Sequence, residues 1–123
     1  MYYTIEIKRI DQNIDEEIDI IINGIQITGF TGYCPYKIEI GKKYKASINL
    51  FFLDGLNMEI QRDNAEKNIL KLDNDKYLIK GFLDSKGVLD VGFLIKNELF
   101  KDYEYFFGNY VKMKIDRFTI SFR

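Results

Sequence analysis

Apolar and polar residues alternate along most of this chain with a period of two. The alternation is clear over residues 45–53. Because successive side chains of a β-strand point to opposite faces, this period predicts strands that each bury one face. The predicted strands cover residues 2–10, 17–22, 25–30, 36–40, 44–53, 56–61, 77–83, 88–95 and 110–122.

Short turn sequences separate several of these strands. Asp54-Gly55 and Asn23-Gly24 favour a type I′ turn, since both central residues of that turn need positive φ. The first pair predicts a hairpin between residues 44–53 and 56–61. The second pair predicts either a hairpin or a glycine kink within one long strand. Residues 84–87 predict a four-residue turn that closes a further hairpin.

One stretch changes its period from two to that of a helix. Asp63 and Glu66 have the spacing of a capping box, which satisfies free N–H groups at the start of a helix. The pattern therefore predicts one short helix over residues 64–72. Its apolar residues are Ala65, Ile69 and Leu72.

The last predicted strand changes the face on which its apolar residues lie. The change falls at Asp116 and Arg117. One extra residue, a β-bulge, produces such a slip and bends a strand as the corners of barrels require. The apolar residues are Val111, Met113 and Ile115 before the slip, and Phe118, Ile120 and Phe122 after it.

The predicted elements follow one another as residues 17–30, 36–53 with a kink at Gly41-Lys42-Lys43, 56–61, 64–72, 77–83 and 88–95. This order resembles the oligonucleotide/oligosaccharide-binding (OB) barrel, whose helix lies between its third and fourth strands. The resemblance implies a mainly β fold, in which a curved antiparallel sheet closes into a small OB-like barrel with one short helix. The strands over residues 2–10 and 110–122 would be additions to that barrel. The length of 123 residues predicts a single domain, residues 1–123.

Strand alternation also predicts which side chains form the core. Residues on one face of each strand are expected to be largely buried. The predicted core consists of Ile5, Ile7, Ile48, Leu50, Phe52, Leu78, Phe82, Phe93, Ile95, Val111, Met113 and Ile115.

Composition and charge exclude several classes of protein. The formal net charge of -1 removes any general attraction to nucleic-acid backbones. No stretch approaches the eighteen or so apolar residues of a membrane-spanning helix, and the first residues do not resemble a signal peptide. The single cysteine, Cys34, excludes an intrachain disulfide, and the expected location is the cytoplasm.

Catalytic chemistry has little support in the sequence. There is no histidine, which is the commonest acid/base group at neutral pH and a common metal ligand. Cys34 has apolar neighbours and is expected to be a small buried side chain. We therefore expect a protein that is not an enzyme and that needs no cofactor or metal. A hydrolase that uses only carboxylates and tyrosines is the least favoured class.

Two features predict that this protein binds another protein. The run over residues 11–19 holds five acids and no base, and is either a solvated connection or an acidic surface for a basic partner. Aromatic residues are concentrated before Gly108, and tyrosine is a favoured anchor at protein interfaces. The predicted partner-binding residues are Asp11, Asp15, Glu16, Glu17, Asp19, Tyr103, Tyr105 and Phe107.

A small, mildly acidic β-barrel without histidine is similar in general character to the immunity proteins that bacteria pair with secreted toxins. That resemblance implies a non-enzymatic module that neutralises a basic toxin domain. The alternative is a binder of single-stranded nucleic acid or oligosaccharide, which would use interleaved aromatic and basic residues. The residues of this alternative face are Lys43, Lys45, Asn49, Phe51, Tyr110, Lys112 and Lys114.

Overall fold

The computed structural model describes residues 1–13 and 16–123. These residues form two compact units, Met1–Asn49 with Arg117–Arg123, and Leu50–Asp116. The single domain over residues 1–123 stays a prediction. The strands are β1 (Tyr3–Ile10), β2 (Glu17–Ile22), β3 (Ile25–Thr31), β4 (Lys43–Phe51), β5 (Met58–Ile60), β6 (Asn68–Lys71), β7 (Tyr77–Leu83), β8 (Leu89–Asp90), β9 (Leu94–Ile95), β10 (Asn109–Ile115) and β11 (Arg117–Phe122), with a 3-10 helix at Glu98–Phe106.

A closed barrel of five strands forms the first unit. The strands follow the order β1-β2-β3-β11-β4 around it. β1 pairs antiparallel with β2 and with β4, and β2 pairs antiparallel with β3, but β11 lies parallel to β3. The predicted fold class, a mainly β protein with a closed barrel, is confirmed.

The β2–β3 hairpin decides between the two predictions for Asn23-Gly24. Ile22 pairs with Ile25, and φ is 49° at Asn23 and 78° at Gly24. Two positive φ values in a two-residue loop are those of a type I′ turn. The pair therefore makes a hairpin and not a kink.

The barrel interior is filled by alternate residues of its five strands, as a period of two requires. Apart from Ala46, these side chains are branched or aromatic, and all are almost fully buried. They are Ile5, Ile7, Ile18, Ile20, Ile22, Ile27, Ala46, Ile48, Phe118, Ile120 and Phe122.

A second sheet, with the order β5-β10-β7-β8-β9, forms the second unit, and β6 also pairs with β7. One face of this sheet is buried. The hairpin predicted at residues 84–87 is confirmed, because Leu83 pairs with Leu89 across that turn. The buried residues are Met58, Tyr77, Ile79, Leu83, Leu89, Val91, Phe93, Ile95, Phe100, Val111, Met113 and Ile115.

The predicted helix over residues 64–72 is wrong. Asn68–Lys71 forms strand β6 and pairs with β7. The side-chain amide of Gln61 accepts a bond from the Glu66 N–H and donates one to the Glu66 carbonyl, both at 3.0 Å. A segment of this length is marginal as an isolated helix, so pairing with a neighbouring strand outweighs its local preference.

The structure also differs from three of the predictions about strands. Residues 44–53 and 56–61 do not form a hairpin, because β4 belongs to the barrel and β5 pairs with β10. Residues 36–40 are not a strand. Residues 88–95 form two short strands, β8 and β9, which pair with each other.

The phase slip at Asp116 is real, but the predicted bulge is wrong. β10 ends at Ile115 and β11 begins at Arg117, and the two strands belong to different sheets. The apolar side chains before the slip and those after it are all buried. The slip is therefore the point at which the chain leaves one sheet and enters the other.

The strands of the barrel are also not those that the OB resemblance selected. β1 and β11, which were treated as additions, are part of the barrel, whereas residues 56–61, 77–83 and 88–95 contribute to the second sheet. Most of the predicted core is buried. The prediction is corrected for Phe52, Leu78 and Phe82, which are only partly buried.

Candidate functional site

The aromatic stretch after β9 folds as the 3-10 helix Glu98–Phe106, which we call the acidic aromatic segment. Asn97 caps it, because its side-chain oxygen accepts a bond from the Leu99 N–H at 2.9 Å. Phe100 is 1% exposed and anchors the segment in the core of the second unit. Sequence analysis did not predict this helix, since its nine residues hold no regular helical stripe.

One ring of this segment, that of Tyr105, is exposed, and the neighbouring rings of Tyr103 and Phe106 are half-buried. Tyr105 is 72% exposed and Leu99 is 42% exposed. The ring of Tyr105 packs edge-on against Phe106, with centroids 4.4 Å apart, and Tyr103 lies 5.8 Å from Phe106. The surface therefore presents a cluster of adjoining rings and not a single aromatic side chain.

Contacts with neighbouring loops fix the position of these rings. The Tyr103 hydroxyl donates to the Leu56 carbonyl at 2.8 Å. Phe107 packs against Gly87, where a Cβ atom would lie 2.6 Å from its Cζ. A preorganised cluster loses less conformational entropy on binding than a mobile loop would.

Acidic residues lie beside these rings in the sequence. Glu98, Asp102 and Glu104 are all exposed, and Lys101 is the only base within the segment. Among the described residues, none of the three carboxylates has an ion-pair partner within 4 Å. The predicted partner-binding residues do not include these acids, although Asp102 and Glu104 alternate with Tyr103 and Tyr105 in the sequence.

The acidic run over residues 11–19 lies in a different environment. Arg9 bonds three of its acids: Asp11 at 2.9 Å, Glu17 at 3.2 Å and Asp19 at 2.8 Å. These bonds, that to Asp19 above all, raise the pKa of Arg9. Three of the five acids in this predicted surface are thus already paired with a cation of the barrel.

The structure gives less information on the other two acids of this run. Glu16 is exposed, whereas Asp15 lies outside the described residues. Asp19 also accepts a bond from the Thr28 hydroxyl at 2.6 Å. Of the predicted partner-binding residues, Asp11, Glu17 and Asp19 bond Arg9 in the first unit. Tyr103 and Tyr105 lie in the acidic aromatic segment, and Phe107 directly follows it.

The residues of the alternative face come from two sheets. Lys43, Lys45 and Asn49 are exposed on β4, which also carries the half-buried Phe51. Tyr110, Lys112 and Lys114 lie on β10 of the second unit. The Tyr110 ring packs edge-on against Phe82, and Lys112 lies 3.9 Å from Glu59.

A groove of about 410 Å³ lies on the second unit beside β5 and β10. Its charged residues are mostly paired with each other: Lys76 lies 3.3 Å from Asp116, and Lys112 pairs with Glu59. The groove therefore has no dominant charge that would select a ligand.

Catalytic or metal-binding equipment is sparse in the part of the chain that the structure describes. It contains no group of three or more Cys, Asp or Glu side chains that could hold a metal ion. The prediction that Cys34 is buried is wrong: Cys34 is half-buried, and its thiol donates to the Tyr36 carbonyl at 2.9 Å. None of the described helical residues forms a helix with the length and apolar character needed to cross a membrane.

These features define a mainly β protein with a closed five-stranded barrel and an exposed aromatic segment rich in acids. The chain belongs to the family described as Uncharacterised conserved protein UCP019853, whose match spans residues 1–123. No curated protein and no solved structure matches the chain.

Proposed function

We propose that this protein is a non-enzymatic module that binds a basic protein partner on the acidic aromatic segment, Glu98–Phe106. The observation that carries the proposal is the exposed ring of Tyr105, held in a fixed cluster with Phe106 and bordered by carboxylates. Interfaces concentrate their binding energy in a few such aromatic anchors with a polar rim.

Charge indicates the chemistry of the partner. Glu98, Asp102 and Glu104 leave the segment with a net negative charge that no cation within it except Lys101 offsets. A basic partner would be attracted at long range, and its own apolar groups would then cover the rings. A basic toxin domain is a partner of this kind, and the protein would then act as a cytoplasmic, bacterial immunity protein.

The charge on one face of the barrel favours a protein partner over a nucleic acid. We propose that it is OB-like, because its last strand returns to lie parallel to its third strand in a closed set of five. OB barrels bind ligands on the face of their second and third strands. In this chain that face carries Glu17 and Asp19, which share the single cation Arg9, so a net negative charge remains that repels phosphate groups.

Affinity capture followed by direct binding tests the proposal. Immobilised wild-type protein is exposed to native lysate, the retained protein is identified and purified, and its affinity is measured by calorimetry. Tyr105→Ala should weaken binding by about tenfold or more, as expected for an interface anchor. Asp102→Lys with Glu104→Lys should mainly slow association, and more so at low salt.

The matched control is Asp63→Lys with Asp73→Lys. Both aspartates are exposed and lie outside the acidic aromatic segment, and the change in net charge is the same. This control should bind as wild type does. A captured partner that is acidic, or that binds the Tyr105→Ala variant as tightly as wild type, would contradict the proposal.

A further inference from the structure

A second surface, on the barrel, has the opposite charge to the acidic aromatic segment. Residues 36–45 hold four lysines and one acid, although the whole chain has a net charge of -1. That acid, Glu39, is bonded to Lys42 at 2.6 Å. The segment therefore keeps an excess of positive charge, carried by Lys37, Lys43 and Lys45.

The end of β11 gathers this segment and several tyrosines in one place. The Phe122 N–H donates to the Tyr33 carbonyl at 2.7 Å, and the Tyr36 hydroxyl donates to the Arg123 carbonyl at 2.8 Å. The Arg123 N–H donates to the Lys45 carbonyl at 2.9 Å, and the Arg123 guanidinium lies 5.5 Å from the centroid of the Tyr2 ring.

Solvent reaches both the rings and the ammonium groups. Tyr33 is 68% exposed and Tyr2 is 48% exposed. Lys43 and Lys45 are exposed on the outer face of β4, and no carboxylate of the described residues lies within ion-pair distance of either. We call Tyr2, Tyr33, Tyr36, Lys37, Lys43 and Lys45 the basic tyrosine surface.

We propose that the basic tyrosine surface binds single-stranded nucleic acid, in addition to the protein partner proposed above. Unpaired lysines attract phosphates, and exposed rings beside them offer platforms on which unstacked bases can lie. The bases of a duplex are already stacked and paired, so a duplex cannot use the rings in this way. The site differs from the predicted nucleic-acid face, because it keeps Lys43 and Lys45 but excludes Lys112 and Lys114.

Fluorescence anisotropy with labelled oligo-dT and oligo-U of about 12 nucleotides tests this proposal, since OB-type sites cover about 4–16 nucleotides. Wild-type protein should bind at about 50 mM salt, and the logarithm of its affinity should fall linearly with the logarithm of salt concentration. Lys43→Glu with Lys45→Glu should weaken binding by about tenfold or more and flatten that slope. Tyr33→Ala should weaken it by about fivefold or more, through lost stacking.

The matched control is Lys112→Glu with Lys114→Glu, which changes the net charge equally on the second sheet. It should bind the oligonucleotides as wild type does, and thermal melting should verify that every variant is folded. Tyr33 is preferred to Tyr36 for substitution, because Tyr36 stacks on Tyr44 and supports the barrel.

Three results would overturn the inference. The first is no saturable binding of either oligonucleotide at low salt. The second is equal loss of affinity in the control. The third is equal binding of polyglutamate and oligonucleotide with no effect of Tyr33→Ala, which would assign the surface to an acidic protein. None of these results bears on Tyr105, so the two proposals can fail separately.

Discussion

Arg9 and Asp19 form a two-point ion pair across β1 and β2: Nε lies 2.8 Å from Oδ2, and Nη2 lies 3.2 Å from Oδ1. The same guanidinium holds Asp11 and Glu17. One cation thus draws together three carboxylates that would otherwise repel one another. The pairing makes this acidic region a structural part of the barrel.

Substitution of Arg9 should therefore destabilise the protein. Arg9→Met is expected to lower the free energy of unfolding by about 1–2 kcal/mol at neutral pH, a value reduced for solvent screening of a partly exposed pair. Urea unfolding measures this loss. Lys8→Met is the control, because Lys8 makes one longer pair with Glu6 at 3.5 Å, and it should cost less than about 0.5 kcal/mol. Equal losses would mean that the Arg9 network adds nothing beyond an ordinary surface pair.

A second prediction concerns which face of β7 is buried. Leu83 is fully buried, whereas Leu78 lies on the opposite face and lines the groove of the second unit. Leu83→Ala should lower the free energy of unfolding by about 2–5 kcal/mol. Leu78→Ala removes the same atoms from a partly exposed site and should cost about 1 kcal/mol or less. If urea unfolding showed a larger loss of free energy for Leu78→Ala than for Leu83→Ala, the buried face of β7 would be the one that carries Leu78.

Short sequence patterns predicted those parts of the fold that depend only on neighbouring residues. The β2–β3 hairpin was one of the two predictions for Asn23-Gly24, because a type I′ turn needs only those two residues and the strands beside them. The choice between the hairpin and a kink needed the pairing of Ile22 with Ile25. The change of face at Asp116 was also visible in the sequence. Its cause was not, since a bulge and a change of sheet produce the same pattern of apolar residues.

Features that depend on distant residues could not be predicted. The capping-box spacing of Asp63 and Glu66 favoured a helix, but Gln61 and strand β7 satisfy the backbone of that region as a strand. The acidic run over residues 11–19 looked uncompensated because Arg9 precedes it in the sequence. Only the pairing of β1 with β2 brings that guanidinium to the acids.

Gly81 is required by the close approach of two strands. A Cβ atom there would collide with the Asp90 carbonyl oxygen and lie 2.9 Å from Val91 Cγ1. Gly81→Ala should therefore lower the free energy of unfolding by about 2–3 kcal/mol through overpacking. At Gly24 a Cβ atom would meet nothing within 4 Å, but φ is +78°. Gly24→Ala should cost only the backbone strain, about 1 kcal/mol. Thermal melting of both variants tests the difference, and equal losses would contradict the close strand approach.

Asp84 should make stability depend on pH at the acid end. Backbone N–H groups of Val88 and Lys86 donate to its Oδ1 and hold its pKa below the ordinary value of 3.8. The charged carboxylate therefore contributes stability above that value and loses the contribution as the pH falls through the lower folded-state pKa. Asp84→Asn keeps the acceptor but not the charge. It should be less stable than wild type at neutral pH, and the difference should vanish once the pH lies below the lowered folded-state pKa. A difference that persists there would mean that the charge of Asp84 is not the cause.

Exposed and buried rings of the acidic aromatic segment should affect stability differently. Phe100 is buried, so Phe100→Ala should lower the free energy of unfolding by about 3–5 kcal/mol. Tyr105 contacts Phe106 but is largely exposed, so Tyr105→Ala should cost less than about 1 kcal/mol. Urea unfolding of both variants gives the comparison. If Tyr105→Ala were as damaging as Phe100→Ala, the Tyr105 ring would belong to the core. The proposed partner surface would then lack its anchor, because a ring that the fold itself needs cannot be free for a second protein.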